Sequence, residues 1–250
     1  MKKTNDLGQD SIFPLVCKLA IPTMIAQLVN VLYSIIDRMF IGNIPVIGDL
    51  ALAGAGVCGP IVTLLSSFGT LVGLGGSILM AMRLGEKKEK EAQNILNNSF
   101  LMLVVLSLTL TIGFLLSKDA LLVRFGASQL TFPYADTYLT IYTFGTFFAL
   151  LGIGMNYFIT CQGFPLISMA TVITGAISNI ILDAVFIFVF DLGIAGAALA
   201  TVLSQMLSCC LTLLFLFKPG KYRPFKSKPQ ISIAFGNYSL KLAKKILALG

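Results

Sequence analysis

The sequence predicts an all-α, polytopic membrane protein with six transmembrane helices. Of its 250 residues, 56% are hydrophobic and only 12% are charged, whereas a soluble globular domain carries about 25% charged residues. The mean hydropathy is +0.90. A soluble fold with so few charges could not cover its own surface, so lipid is the expected solvent for most of the chain.

Six predominantly apolar stretches are each long enough to cross a bilayer, which requires about 20 helical residues. We predict spans at 15–41, 52–82, 95–117, 132–158, 165–190 and 194–217. The second stretch contains Pro60 and is interpreted as one tilted or kinked span, because neighbouring helices can satisfy the backbone group that a proline frees. Pro133 and Pro165 fall where first helical turns are expected.

The distribution of basic residues predicts the orientation of these spans. Placing the N-terminus inside puts 15 of the 18 Lys and Arg on the inner side, and leaves Arg38, Lys118 and Arg124 on the outer side. By the positive-inside rule, both termini are cytoplasmic and the protein is a multi-pass protein of the plasma membrane. The net charge of +7 is therefore interpreted as a topology signal, without nucleic acid as a partner. Contact of the basic tail with anionic lipid is the less favoured interpretation.

The domain organisation follows from these spans. Residues 1–217 form the six-helix transmembrane unit, and 218–240 form a basic, proline-containing cytoplasmic linker. At 241–250 the chain begins to turn apolar again after a Lys, loosely like the entry to the first span. We expect this segment to be the start of a second, truncated lobe.

We assign only two acids to the predicted spans, Asp37 and Asp183, and an acid inside the membrane is a candidate functional residue by default. Each acid belongs to a stripe of polar residues that repeats at helical spacing along one face of its span. In span one the stripe is Gln27, Asn30, Ser34 and Asp37, beside Tyr33, and in span five it is Thr171, Gly175, Asn179 and Asp183. Span six carries a third stripe on one side, formed by Thr201, Ser204, Gln205, Ser208 and Thr212. We predict that the three stripes line a shared polar cavity. For the Ser, Thr and Gly positions, close helix packing is the equally favoured alternative.

The depths of these groups indicate that they meet in the outer half of the bundle. Counting about 1.5 Å per residue, Asp37, Asp183 and Thr201 lie roughly 8, 12 and 10 Å from the outer ends of their spans. Two buried carboxyl groups that lie close together can share one proton. Their oxygens, with those of Asn179 and Thr201, could instead coordinate a sodium ion. Arg38 offers an alternative, a structural ion pair with Asp37, although snorkelling to head groups is favoured.

The composition also bears on catalysis. The chain contains no His, so neither a Ser-His nor a His-metal constellation is available for an intramembrane enzyme. We expect no enzymatic activity and no cofactor beyond a coupling proton or sodium ion.

Several motifs resemble those of the multidrug and toxic compound extrusion (MATE) family: the run from Asn30 to Gly42, the end of the second span from Gly75 to Gly85, and Asn179-Ile-Ile-Leu-Asp183 followed by Gly193 to Thr201. The resemblance covers the N-terminal six-helix lobe of a two-lobe, twelve-helix transporter. It implies export of cationic amphiphilic compounds in exchange for protons or sodium by alternating access. The implied coupling residues are Asp37, Asp183, Asn179 and Thr201, and the predicted substrate cavity contains Gln27, Asn30, Tyr33, Tyr138 and Gln205.

The missing second lobe leaves alternatives open. Because a six-span unit keeps its orientation when it is repeated, a parallel homodimer partner could replace that lobe. Within the same superfamily, a lipid or lipid-linked-oligosaccharide flippase is an alternative that would favour a positively charged cavity. An inactive scaffold or half-transporter fragment is the alternative outside transport.

Overall fold

The computed structural model describes residues 12–217 and 239–250. Most of the predicted linker, 218–238, and the basic N-terminal residues Lys2 and Lys3 lie outside the described residues. Within these described ranges, six helices are long and apolar enough to cross a membrane, which confirms the predicted fold class. They are α1 (Ile12–Gly42), α2 (Gly48–Gly85), α3 (Glu89–Arg124), α4 (Phe132–Cys161), α5 (Pro165–Ala184) and α6 (Gly193–Phe217), and a shorter helix, α7 (Leu240–Leu249), follows.

The helix boundaries differ from the predicted spans in two informative places. Helix α3 extends beyond 95–117 at both ends, because its polar first and last turns remain helical outside the apolar segment. Helix α5 ends at Ala184 and continues as a π-helical turn, Val185–Val189. Such turns insert an extra residue into a helix and are frequent at functional sites. The turn begins two residues after Asp183.

Prolines and a glycine lie at positions that suit their backbone conformations. Pro133 and Pro165 lie in the first turns of α4 and α5, where a missing backbone N–H costs nothing. Pro60 lies inside α2, which continues through it. Gly163 turns the chain between α4 and α5 with a φ of +87°, a conformation that favours glycine.

Helix α4 is the centre of the bundle. In its most apolar segment 61% of the residues are buried, against 12% in that of α1. Helices α2, α3 and α6 pack on α4, whereas α1 packs mainly on α5. The chain therefore places α1 at the periphery, where its contact with α5 determines what its polar stripe faces.

Helices α2 and α4 approach each other closely at two glycines of α2. A Cβ atom added to Gly73 would lie 2.7 Å from the Cα and carbonyl oxygen of Gly154. Gly69, one turn earlier, faces the backbone of Leu150 in the same way. Small residues allow this contact because backbones can approach only where no side chain intervenes.

Candidate functional site

The carboxyl groups of Asp37 and Asp183 meet at the contact between α1 and α5. Their side chains interact directly with each other, and Asp183 has no solvent-exposed surface. Asp37 is on the last two turns of α1, and Asp183 is the penultimate residue of α5. The structure therefore brings together the two acids that the sequence places on separate helices.

Four buried oxygens at this contact receive no hydrogen bond from the protein. They are Oδ1 of Asp37, both carboxyl oxygens of Asp183 and Oδ1 of Asn179. Single buried polar atoms without a protein partner also occur elsewhere in the described residues, at Ser99, Thr146, Gln162, Gln205 and Thr212. This contact differs in that it gathers four such oxygens, three of them carboxyl oxygens, and a group of this kind calls for an explanation such as a bound ion, water or a functional role. Oxygens of this kind are acceptors for a proton or ligands for a hard cation.

Asn179 and Thr201 connect this contact to α6. The Nδ2 of Asn179 donates a hydrogen bond of 3.4 Å to Oγ1 of Thr201, and both residues are buried. Thr201 also interacts with the side chain of Tyr138 on α4. The four predicted coupling residues thus form one continuous polar cluster across α1, α5 and α6.

Two tyrosines, Tyr33 and Tyr138, lie near the acids, and a third, Tyr142, packs against them. The rings of Tyr138 and Tyr142 stack with centroids 6.3 Å apart and an interplanar angle of 10°. Tyr33 on α1 lies close enough to Tyr142, Asp37 and Asp183 to interact with them electrostatically. The carboxyl groups therefore have an aromatic wall formed by α1 and α4.

A cavity of 480 Å³ lies between α1, α4, α5 and α6. Its lining includes four of the five predicted cavity residues, Gln27, Asn30, Tyr33 and Gln205. Among the residues that the structure describes, no Asp, Glu, Lys or Arg lines it. On α1 the lining residues all precede Asp37, and none of the four predicted coupling residues, Asp37, Asn179, Asp183 and Thr201, lines the cavity. The three predicted polar stripes therefore line it only in part.

Tyr138 is placed differently from the prediction. It is buried against Tyr142 and Thr201 beside the acids and does not line the 480 Å³ cavity. The reason is its position in the first two turns of α4, whereas the α4 residues that line the cavity lie between Phe148 and Thr160. Gln205 does connect the two regions, because its Nε2 donates a hydrogen bond of 3.4 Å to the hydroxyl of Tyr142.

Sequence reasoning missed the polar contacts of Asn156 on α4. Its Nδ2 donates to Oγ1 of Thr171 at 2.8 Å, and its Oδ1 accepts a hydrogen bond from Ser168. Asn156 and Ser168 both line the cavity. The available signal was the one amide side chain of the predicted span 132–158, since a polar group inside a membrane needs partners on neighbouring helices.

A third acid, Asp136, also lies within a predicted span. Its carboxylate accepts a hydrogen bond from Lys118 Nζ, which also donates to Oγ1 of Thr140 at 3.1 Å. Asp136 is therefore paired between α3 and α4, in contrast to Asp183. Arg38 is exposed and forms no ion pair within 12–217 and 239–250, so the structural Asp37–Arg38 pair is not formed.

Comparison with known proteins places this architecture in a family. The MatE family profile matches residues 22–185. The multidrug export protein MepA of Staphylococcus haemolyticus (strain JCSC1435) is 29% identical over 220 residues, which cover 88% of this chain and 48% of the relative.

Solved structures show the same architecture. A MATE family transporter of the MOP superfamily, described as a multidrug resistance transporter in its outward-facing conformation, superposes with a TM-score of 0.83 at 25% identity, covering 93% of this chain and 50% of that one. An inward-facing conformation superposes with a TM-score of 0.78 at 25% identity, covering 94% and 52%. The chain spans about half the length of the relatives that it matches, and it belongs to the MATE family of membrane transporters.

Proposed function

We propose that this chain is one lobe of a cation-coupled antiporter that exports cationic, amphiphilic compounds. The observation that carries the proposal is the cluster of four buried oxygens without hydrogen-bond donors on Asp37, Asp183 and Asn179, next to a cavity large enough for an organic molecule. In a membrane such acids mark ion pathways and proton relays. The names of the relatives, which include multidrug export proteins, support export of drugs as the general activity.

The coupling ion is a proton or a sodium ion bound by this cluster. A proton on one carboxyl group would allow it to donate to the other and so reduce the number of oxygens without donors. A sodium ion would take the same oxygens as ligands, with the Thr201 hydroxyl as a further oxygen beside Asn179. Either ion reduces the net negative charge of the site. A coupled transporter requires such a change, because it makes binding of the coupling ion and binding of a cationic substrate depend on each other.

The substrate binds in the 480 Å³ cavity in this proposal. Its lining combines amides, such as Gln27 and Asn30, with the aromatic rings of Tyr33 and Tyr157. Aromatic faces attract organic cations. Amide side chains can both donate and accept hydrogen bonds, so they can bind ligands of different shapes. An organic cation there and a coupling ion at the acids compete for the same negative charge, so binding of one disfavours the other.

Alternating access needs a second lobe that faces this one. Because the relatives are about twice as long, we propose that the partner is either a second lobe of the MATE type or a second copy of this chain in parallel orientation. In the orientation favoured by the positive-inside rule, the α2–α3 loop and α7 face the cytoplasm. A flippase is less favoured, because the described lining of the cavity offers no cation for a phosphate group.

Dye efflux tests the proposal. Cells that lack their own efflux pumps and express the chain are loaded with a fluorescent organic cation, and its loss is followed for the parent and for Asp37→Asn and Asp183→Asn. The matched control is Asp191→Asn, which removes an exposed acid at a φ of +53° that Asn tolerates. We expect efflux from the parent and the control only, with the chain expressed alone if it pairs with a second copy and together with a second MATE-type lobe if it does not. Unchanged efflux from both acid variants would rule out a coupling role for these residues.

The coupling ion is tested on the purified protein, independently of transport. If sodium binds, NaCl raises the melting temperature above that in KCl at equal ionic strength, and Asp183→Asn removes the difference. If a proton binds, NaCl and KCl act alike, while substrate binding releases protons into a weakly buffered solution. A protein that shows neither response is an inactive scaffold rather than a coupled transporter.

A further inference from the structure

A second cavity, of 310 Å³, lies at the ends of α2 and α3 and is closed on one side by α7. We call it the α7 crevice. Its lining includes three cationic side chains, Arg83, Lys241 and Lys245, and one carboxylate, Glu91. The 480 Å³ cavity has no charged lining among the described residues, so the two cavities suit ligands of different chemistry.

Specific contacts hold α7 against α2 and α3. Ala243 and Ile246 are buried, and the Ile246 carbonyl packs on Gly75, where a Cβ atom would collide with it. At the start of α7, the backbone N–H of Ser239 donates a hydrogen bond of 2.9 Å to Oδ1 of Asn98. The crevice is therefore a feature of packed helices.

Arg83 is already bound by acids of the α2–α3 loop region. Its NH1 lies 2.6 Å from Glu86 and its Nε lies 3.1 Å from Glu91. Hydrogen bonds from Lys88 and Arg83 hold the pKa of Glu86 below its ordinary value, so this carboxylate stays ionised at neutral pH. Arg83 therefore contributes little free positive charge to the crevice.

Lys241 and Lys245 are in a different situation. They lie four residues apart on α7 and so project from the same face. Within the described part of the chain, neither ammonium group forms an ion pair. Two uncompensated cations in one crevice create a site for an anion with several oxygen acceptors, such as a phosphodiester.

The crevice combines apolar and charged residues, as is expected at the boundary between a membrane and water. Leu79, Ile95 and Leu242 line it beside the charged groups, and Ile78 and Met82 on α2 are exposed next to it. The crevice lies where the apolar part of α2 ends and the charged α2–α3 loop begins. A ligand that fits has an anionic head and an apolar tail.

We infer that the α7 crevice binds the phosphate head group of an anionic phospholipid, with Lys241 and Lys245 as the phosphate contacts and the acyl chains along the exposed face of α2. The crevice has a volume of 310 Å³, enough for a head group. Basic pockets between transmembrane helices on the cytoplasmic side are a known way of recognising anionic lipids. The lipid would fasten α7 to the six-helix unit.

The test is lipid-dependent stabilisation of the purified full chain in detergent. Phosphatidylglycerol, phosphatidylcholine with the same acyl chains, and inorganic phosphate are titrated separately while the melting temperature is recorded. We expect phosphatidylglycerol to stabilise the protein, and phosphatidylcholine and inorganic phosphate to have little effect. Equal stabilisation by inorganic phosphate would overturn the assignment to a lipid.

Two sets of variants locate the binding. Lys241→Gln with Lys245→Gln should weaken the apparent affinity for phosphatidylglycerol about tenfold or more, since each basic residue near an anionic head group contributes substantially. The matched control, Lys87→Gln with Lys244→Gln, removes the same charge from exposed positions outside the crevice and should change the affinity less than about twofold. Equal weakening by both pairs would show general attraction to anionic lipid and overturn the site.

Glu91→Gln is expected to strengthen lipid binding, whereas the lysine substitutions are expected to weaken it. A gain in affinity cannot be explained by a variant that folds poorly. The substitution removes the only carboxylate that lines the crevice in the described residues and releases the Arg83 Nε from its 3.1 Å contact. We expect the apparent affinity for phosphatidylglycerol to rise severalfold. An unchanged or lower affinity would contradict a head-group site at this position.

Discussion

Asp37 and Asp183 contact each other across the α1–α5 interface, and neither carboxyl oxygen of Asp183 receives a hydrogen bond from the protein. Protein interiors generally satisfy such groups, because a buried acceptor without a donor costs about 1–3 kcal/mol. The arrangement is therefore destabilising in the absence of a bound ion. Locally destabilising arrangements of this kind are typical of functional sites, because activity often requires groups that lower the stability of the fold.

The first prediction is that Asp183→Asn stabilises the protein. An Asn at this position keeps the shape of the side chain, and its amide can donate to the Oδ1 of Asp37, which has no donor in the parent. We expect a gain of about 1–3 kcal/mol in the free energy of unfolding, recorded as a higher melting temperature in detergent without coupling ions. In the same variant, dye efflux should be lost.

The exposed acid Asp191 provides the control for this stability change. Asp191→Asn should alter the free energy of unfolding by less than about 0.5 kcal/mol, as is usual for surface substitutions. Destabilisation by Asp183→Asn would mean that this carboxylate has a structural partner, and the interpretation of its oxygens as an ion site would then be wrong.

The second prediction concerns the contact of α2 with α4. Gly73→Ala places a methyl group 2.7 Å from the backbone of Gly154, which cannot move away as a flexible side chain would. We expect a loss of about 1–3 kcal/mol from overpacking, measured by thermal unfolding. Gly113→Ala on α3 is the matched control, because nothing lies within 4 Å of its Cβ position; it should be neutral or stabilising by up to about 1 kcal/mol.

The third prediction is a measurable coupling between Lys118 and Asp136. Their side chains are 25% and 32% exposed, so the pair is more shielded from water than a surface ion pair. A double-mutant cycle with Lys118→Met and Asp136→Asn should give a coupling free energy of about 1 kcal/mol, above the median for exposed pairs. The same cycle for Arg83 and Glu91, which is more exposed, should give less. Additive effects at Lys118 and Asp136 would show that their contact contributes nothing to stability.

The sequence predicted the parts of this structure that depend on local chemistry. Apolar runs predicted six spans, and the rarity of acids in a membrane singled out Asp37 and Asp183 before any coordinates. The same reasoning overlooked Asp136, although this acid is visible within the predicted span 132–158. The sequence could not show that Lys118 on the adjacent helix pairs with it. Pairing between helices is a property of packing and leaves no periodic signal.

Two further features were out of reach for the same reason. The π-helical turn Val185–Val189 follows Asp183 in a stretch that reads as ordinary apolar helix, and its extra residue is visible only in the backbone. The α7 crevice depends on Ser239 meeting Asn98, 141 positions away in the chain. The distribution of basic residues along the sequence predicts that they lie near the membrane boundary. It does not show that Lys241 and Lys245 line the same cavity.

The fourth prediction tests the polar contacts of Asn156, which link α4 to α5 beside the 480 Å³ cavity. Asn156→Ala removes the 2.8 Å hydrogen bond to Thr171 and the partner of the Ser168 hydroxyl. We expect a loss of about 1–3 kcal/mol, because buried hydroxyl groups lose a partner in a place that water enters poorly. Thr174→Ala is the control on α5; this exposed hydroxyl bonds only to the Ala170 carbonyl of its own helix and its removal should change stability by less than about 0.5 kcal/mol.

The double variant Asn156→Ala with Ser168→Ala separates hydrogen bonding from simple loss of volume. If the Asn156 amide acts by satisfying Ser168, removing the hydroxyl as well should recover part of the lost stability, since no unpaired group then remains. Thermal unfolding of the two single variants and the double variant measures this recovery. Strictly additive losses would show that the two side chains act by packing, and the α4–α5 contact would then be held by shape alone.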